Sequence, residues 1–193
     1  MKKDSFAIAI RKATLAPILS CVMVLMIRFC RTDIFLSNFH FIYTLLFLTI
    51  FPMLAYPLQR HIPKFRDQGR DGQRCLAMLF AFLGYLFECV ANMSFSASAG
   101  LCLISGTYLL SGIILLVTNL FFHIKLSGHA AGACAASLFS VLFGIYWAIA
   151  PAAIIMILVY ISSVQTQRHT LPQLLGGTLI PIVAVIALHF LYG

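Results

Sequence analysis

Residues 130–163, AAGACAASLFSVLFGIYWAIAPAAIIMILVYISS, decide the fold class because these 34 residues carry no charged side chain. One straight α-helix of that length would be about 51 Å long, whereas the hydrocarbon core of a bilayer is about 30 Å thick. Pro151 also interrupts a continuous helix, since proline lacks the N–H donor. We therefore predict two membrane-spanning helices joined by a turn at 144–147, with Tyr146 and Trp147 at the membrane–water interface.

The remainder of the chain has the same apolar character. Hydrophobic residues make up 62% of the sequence and charged residues only 9%, against about 25% charged residues in soluble domains. We predict an all-α fold: a polytopic transmembrane helical bundle of about six to seven spans, with residues 1–193 in one integral membrane domain. The seven candidate spans are 13–30, 39–58, 75–95, 99–122, 130–146, 148–163 and 173–192.

The formal net charge of +8 comes from basic residues at the ends of apolar runs, which indicates membrane topology rather than nucleic-acid binding. Seven spans place the N-terminus and loops 59–74, 123–129 and 164–172 on one side. That side carries eleven Lys or Arg residues, and the other side carries Arg28 and Arg31. By the positive-inside rule we expect a cytoplasmic N-terminus in a bacterial inner (cytoplasmic) membrane.

Two short polar segments precede apolar helices on the basic side: KLSGH at 125–129 and RHTLPQ at 168–173. The N-terminus of a helix presents unpaired N–H groups and a partial positive charge, so two such ends at one surface favour an anion. Ser127 is a suitable N-cap, and Pro172 suits a first helical turn. A basic residue and a histidine in each segment strengthen the prediction of a phosphate site.

The sequence Ser127-Gly128-His129, followed 40 positions later by His169, resembles the type 2 phosphatidic acid phosphatase (PAP2) superfamily over roughly residues 60–190. The family pattern is Lys-x6-Arg-Pro, then Pro-Ser-Gly-His, then Ser-Arg-x5-His-x3-Asp. The resemblance implies that His169 is the nucleophile that forms a phosphohistidine. It also implies that His129 is the general acid that protonates the leaving oxygen.

The phosphate-binding residues follow from the resemblance and from the charge of the two segments. The first motif is absent in its standard form, and Lys64 and Arg70 are its nearest equivalents, on the same predicted side as the histidines. The predicted phosphate-binding set is Lys125, Ser127, Gly128, Arg168, Lys64 and Arg70.

The chain departs from the PAP2 pattern at three further positions. Leu126 replaces the proline, Ser163 replaces the arginine, and Gln173 replaces the aspartate. Arg168 is a candidate to replace the missing arginine. Gln173 lies one helical turn after His169, so its amide oxygen can accept the imidazole N–H and orient the ring. A glutamine cannot stabilise the imidazolium by charge as a carboxylate would.

These features favour a membrane phosphatase that acts on a lipid phosphate or lipid (isoprenoid) diphosphate. The expected partners are membrane lipids, and no nucleic acid, cofactor or metal is implied, because no carboxylate cluster is present to hold a metal ion. The alternative is a catalytically inactive PAP2-like membrane protein that binds anionic lipid head groups or serves as a membrane subunit. A small transporter has less support, since the chain shows no internal repeat.

Overall fold

The computed structural model describes the backbone of residues 2–192 and the side chains of residues 5–191. Over this part of the chain the regular structure is helical, as predicted. The helices are α1 (Lys2–Ala13), α2 (Ala16–Cys30), α3 (Asn38–His61), α4 (Pro63–Arg66), α5 (Gly69–Ser94), α6 (Ala99–Leu120), α7 (Gly128–Leu142), α8 (Ile149–Gln165) and α9 (Leu171–Tyr192).

Five of these helices are long and apolar enough to cross a membrane: α3, α5, α6, α8 together with the short turn before it, and α9. Helices α1 and α2 add a sixth span only if the pair, bent by 48°, counts as one. Helix α7 occupies the predicted fifth span but has 15 residues, or about 22 Å, which is shorter than the hydrocarbon core. The helices fit an integral membrane protein, and the count reaches six rather than seven.

The predicted turn within residues 130–163 is present. Helix α7 ends at Leu142, and Gly144 follows with φ +72°, a conformation that glycine adopts without the steric cost of a Cβ. Helix α8 begins at Ile149, so Pro151 lies in its first turn, where no backbone hydrogen bond is lost. Tyr146 and Trp147 are both exposed at the turn.

The connection between α3 and α5 is shorter than the loop predicted at 59–74. Helix α3 continues to His61, and α5 begins at Gly69, so most of the basic segment is helical. The Gln59 side chain stabilises the compact connection, because its amide donates to the carbonyls of Phe65 (3.1 Å) and Gly69 (2.6 Å). Basic residues of this segment therefore lie at the end of α3, in the exposed α4 or in the first turns of α5.

Helix α7 lies between α2, α8 and α9. Small buried residues at 130–135 let its neighbours approach closely. A Cβ on Gly132 would lie 2.5 Å from the Cβ of Ala16 on α2, and a Cβ on Gly177 of α9 would lie 2.4 Å from the carbonyl oxygen of Ser127. The first contact holds α7 against α2, and the second holds the starts of α7 and α9 together.

Hydrogen bonds between polar side chains join α3, α5 and α6 in the other half of the bundle. Tyr43 donates to the Oδ1 of Asn92 at 2.6 Å, and the amide of Asn92 donates to Ser105 at 2.7 Å. Such bonds contribute to helix association where water is absent. Glu88 and Thr44 lie nearby, fully buried, and their side-chain oxygens have no hydrogen-bond partner among the described residues.

We expect Gly177→Ala to lower the stability of the protein, by about 1–3 kcal/mol, because the new methyl group would overlap a backbone oxygen that no side-chain rotation can move. The measurement is thermal unfolding in detergent. Gly128→Ala is the matched control, since a Cβ there meets no atom within 4 Å. Equal melting temperatures for Gly177→Ala and the control would contradict the close approach of α9 to the Ser127 turn.

Candidate functional site

A cleft of about 670 Å³ opens at the end of the bundle where α7 begins and the α8–α9 connection lies. Helices α1, α2, α3, α5 and α6 complete its walls. Charged and imidazole side chains line its mouth: Arg11, Lys12, Arg70, Arg74, Lys125, Arg168, His129 and His169. Its inner part is lined mainly by small and aromatic residues, including Ala81, Tyr85, Tyr108, Gly112 and Ala135.

The turn before α7 is held in place by backbone contacts. Ser127 is fully buried, and its hydroxyl accepts the Ala130 amide at 3.3 Å, so it caps α7 as predicted. The Ser127 amide donates to the carbonyl of Gln173 at 3.1 Å. The next two amides, of Gly128 and His129, have no partner among the described residues and remain available at the positive end of the helix.

His169 is oriented through one of its two ring nitrogens. Nδ1 lies 3.1 Å from the Lys125 carbonyl oxygen and 3.2 Å from Oε1 of Gln173. Because a carbonyl oxygen can only accept, we assign the proton to Nδ1, which leaves a lone pair on Nε2. Nε2 has no partner among the described residues. Burial lowers the pKa of His169, and the charge of Arg74 lowers it further, so the ring is neutral near pH 7.

His129 is held by the backbone of α1. Its Nε2 lies 3.3 Å from the carbonyl oxygen of Arg11, so by the same reasoning the neutral ring carries its proton on Nε2 and directs it at that carbonyl. To donate a proton into the cleft, His129 must take up a second proton on Nδ1. This arrangement fixes the ring but does not favour the acidic form.

The mouth of the cleft has a large excess of positive charge. Asp71 is the one acidic residue among the described residues of its lining, and it lies 3.8 Å from the Nζ of Lys125 with both side chains exposed. Burial lowers the pKa of Arg168, and repulsion from the nearby Arg70 lowers it further. Arg74 donates to Asn119 and to the carbonyl of Leu126, at 2.9 Å for the latter. A bound anion would relieve the repulsion between these cations.

The structure brings most of the predicted site residues together. Lys125, Gly128, His129, Arg168, His169 and Arg70 all line the cleft. Gln173 contacts His169 from one turn further along α9. Ser127 lies beneath the turn and acts through its capping hydroxyl, while Lys64 is exposed on α4, outside the set of described residues that line the cleft.

Arg11, Lys12 and Arg74 line the cleft but are not among the predicted site residues. The spacing of Arg70 and Arg74, one turn apart at the start of α5, was a usable signal, because residues four apart share a helix face. No sequence signal points to Arg11 or Lys12, since their placement depends on how α1 packs against α8.

The fold and the cleft define a helical bundle of membrane-spanning character with a cleft lined by cationic side chains at one end. No protein-family model, no curated protein and no solved structure matches the chain. The function is therefore inferred from the chemistry of the residues that line the cleft.

Burial has the largest effect on the pKa of His169, and Gln173 is one of the groups that modify it. Its hydrogen bond raises the pKa of His169 and thus opposes the effect of burial. We expect Gln173→Leu to lower that pKa further, and Gln173→Glu to raise it by adding a negative partner. The measurement is NMR titration of the labelled histidines, with the His169 signal assigned by its loss in His169→Ala. A His169 signal that titrates identically in all variants would disprove the contact.

Proposed function

We propose that the chain is a PAP2-like membrane phosphatase that removes phosphate from a lipid phosphate or lipid (isoprenoid) diphosphate. The observation that carries the proposal is the geometry of His169: a neutral imidazole, tied through Nδ1, with its Nε2 lone pair free of described partners in a cleft lined by cations. A nucleophile oriented by a neighbouring acceptor and surrounded by positive charge is the arrangement that attack on phosphorus requires.

In the proposed reaction, Nε2 of His169 forms a bond to phosphorus while the bond from phosphorus to the lipid oxygen breaks. The leaving oxygen takes a proton from His129 in its doubly protonated form. The Nδ1–H bonds to the Lys125 carbonyl and to Gln173 stabilise the resulting imidazolium. Water then attacks phosphorus and gives a proton to His129, the bond from phosphorus to Nε2 breaks, and inorganic phosphate leaves. The cations of the mouth offset the negative charge of the phosphoryl group throughout.

The inner part of the cleft suits the apolar portion of such a substrate. Lining residues on α5 run from Arg74 at the mouth to Tyr85, eleven residues and about 16 Å further along the helix. Small residues on the facing helices, among them Gly112 and Ala135, leave room for a chain. An amphiphile with an anionic head and an apolar tail therefore matches the polarity of the cleft better than a free sugar phosphate does.

The second candidate is a catalytically inactive PAP2-like protein that binds anionic lipid head groups or serves as a membrane subunit. Two observations favour it. Gln173 supplies an acceptor but no charge to stabilise the imidazolium, and the proton of neutral His129 is directed at a backbone carbonyl. Both candidate functions use the same cations, so both predict that the protein binds a lipid phosphate. Only the phosphatase hydrolyses it, so an assay of hydrolysis distinguishes the two.

We expect the purified protein to release phosphate from at least one member of a panel of lipid phosphates and diphosphates. His169→Ala should reduce the rate by about 10³-fold or more, because it removes the nucleophile, and should abolish a phosphoenzyme trapped by acid-free quenching. His189→Ala is the matched control, because His189 lies in the last turn of α9, outside the described cleft lining. Binding without release by the wild-type protein would select the inactive candidate.

We also propose that the cleft end faces the cytoplasm of a bacterial inner membrane, with the N-terminus on that side. Nearly all basic residues lie towards this end, whereas Arg28 and Arg31 lie at the opposite end, where Arg31 donates to the Phe143 carbonyl at 2.6 Å. Carrying the cationic end across the membrane would oppose both the positive-inside rule and the membrane potential.

Single-cysteine labelling tests this orientation. In a cysteine-free background, Gln68→Cys places a thiol in the exposed α4–α5 connection, and Tyr146→Cys places one in the exposed α7–α8 turn. We expect an impermeant thiol reagent added to spheroplasts to label position 146 and to reach position 68 only after lysis. Labelling of position 68 in intact spheroplasts would reverse the proposed orientation.

A further inference from the structure

We propose that Arg11, on the N-terminal helix α1, is a phosphate-binding residue of the cleft, and that Ser163 on α8 holds its guanidinium in place. The inference rests on the proposed function, because it names a ligand contact in the same site. It assigns a role in substrate binding to a helix that lies outside the region of PAP2 resemblance at roughly 60–190.

The position of Arg11 is fixed from two directions. Its Nη1 donates to the Oγ of Ser163 at 2.8 Å, and its backbone carbonyl accepts the Nε2–H of His129 at 3.3 Å. Helix α1 packs against α8, and Ala7 on α1 is almost fully buried. The guanidinium is therefore held in the cleft rather than free to extend into solvent.

The charge of Arg11 has no counter-ion among the described residues. Of the five acidic residues, Asp33 pairs with Arg31, Asp67 with Arg66 and Asp71 with Lys125; Glu88 is buried within α5, and Asp4 lies outside the described side chains. A guanidinium has five N–H donors, and the bond to Ser163 uses one of them.

The positive charge of neighbouring residues further favours binding of an anion next to Arg11. Arg168 is near enough for the two positive charges to repel each other, and the charge of Arg11 acts on both His129 and His169. A half-buried cation beside another cation, with N–H donors that have no partner among the described residues, is stabilised by a bound oxyanion. A phosphate that approaches His169 supplies that anion.

Position 163 on α8 is a site from which a second side chain could supply the charge of Arg11. Ser163 occupies a position at which the chain departs from the PAP2 pattern, and its hydroxyl is in direct contact with the guanidinium. If Arg11 is shortened, an arginine side chain at position 163 can enter the vacated space. The charge can thus be moved from α1 to α8 without moving the backbone carbonyl that holds His129.

Binding of inorganic phosphate and of a short-chain lipid phosphate, measured by calorimetry on the purified protein, tests the inference. We expect Arg11→Gln to weaken binding about 10- to 100-fold, the loss typical of a charge-assisted hydrogen bond, and to raise KM more than it lowers kcat. Glutamine removes the charge but remains polar, and the backbone carbonyl that accepts from His129 stays in place. Arg66→Ala, which removes an exposed arginine outside the described cleft lining, should bind phosphate as the wild type does.

The double variant Arg11→Ala/Ser163→Arg provides the decisive comparison. We expect Arg11→Ala alone to bind weakly and the double variant to recover most of the lost affinity, which a merely structural role of Arg11 would not predict. Thermal unfolding of each variant checks that it is folded. Wild-type affinity in Arg11→Gln, or no recovery in a folded double variant, would overturn the inference.

The same experiments separate this inference from the proposed function. If the wild type binds phosphate but hydrolyses no lipid phosphate, and Arg11→Gln still weakens binding, the phosphatase proposal fails while the role of Arg11 stands. If the wild type hydrolyses substrate and Arg11→Gln leaves both binding and KM unchanged, the role of Arg11 fails while the phosphatase proposal stands.

Discussion

The hydrogen bond from the Ser127 amide to the Gln173 carbonyl joins the start of α7 to the start of α9. It forms because Gly177 has no side chain to separate the two backbones. The histidine that follows Ser127 and the one that precedes Gln173 are thereby brought to the same cleft. The proposal that both histidines act on one phosphate depends on this close contact between two helix starts.

The cations of the cleft are positioned by neutral partners. Arg74 is held by Asn119 and by the Leu126 carbonyl, and Arg11 is held by the Ser163 hydroxyl. A carboxylate in any of these places would fix the side chain equally well but would cancel its charge. Neutral acceptors fix the geometry and leave the positive charge available to a ligand.

The two imidazoles are oriented in a similar way, by backbone carbonyls of basic residues. The Lys125 carbonyl accepts from His169, and the Arg11 carbonyl accepts from His129. The backbone of each basic residue thus sets the tautomer of a histidine, while its side chain contributes charge to the mouth of the cleft. The two functions of Arg11 and Lys125 can be separated by substitution, because a side-chain change leaves the carbonyl in place.

The sequence by itself determined the features that depend on local chemistry. Long uninterrupted apolar runs favoured a helical bundle, because a helix satisfies its own backbone groups within an apolar solvent. The uncharged length of residues 130–163 required a turn, and the spacing of His169 and Gln173 placed their side chains in contact on successive turns. Capping of α7 by Ser127 was equally local.

Tertiary structure alone decided which distant residues share the cleft. Arg11 and Ser163 are 152 positions apart, and their contact follows from the packing of α1 on α8, which no local pattern encodes. Lys64 and Arg70 are close in sequence, yet only Arg70 lines the cleft, because the chain turns between α4 and α5. A sequence does not distinguish a basic residue that lines a site from one that faces solvent at a helix end. The difference arises from the surfaces against which their helices pack.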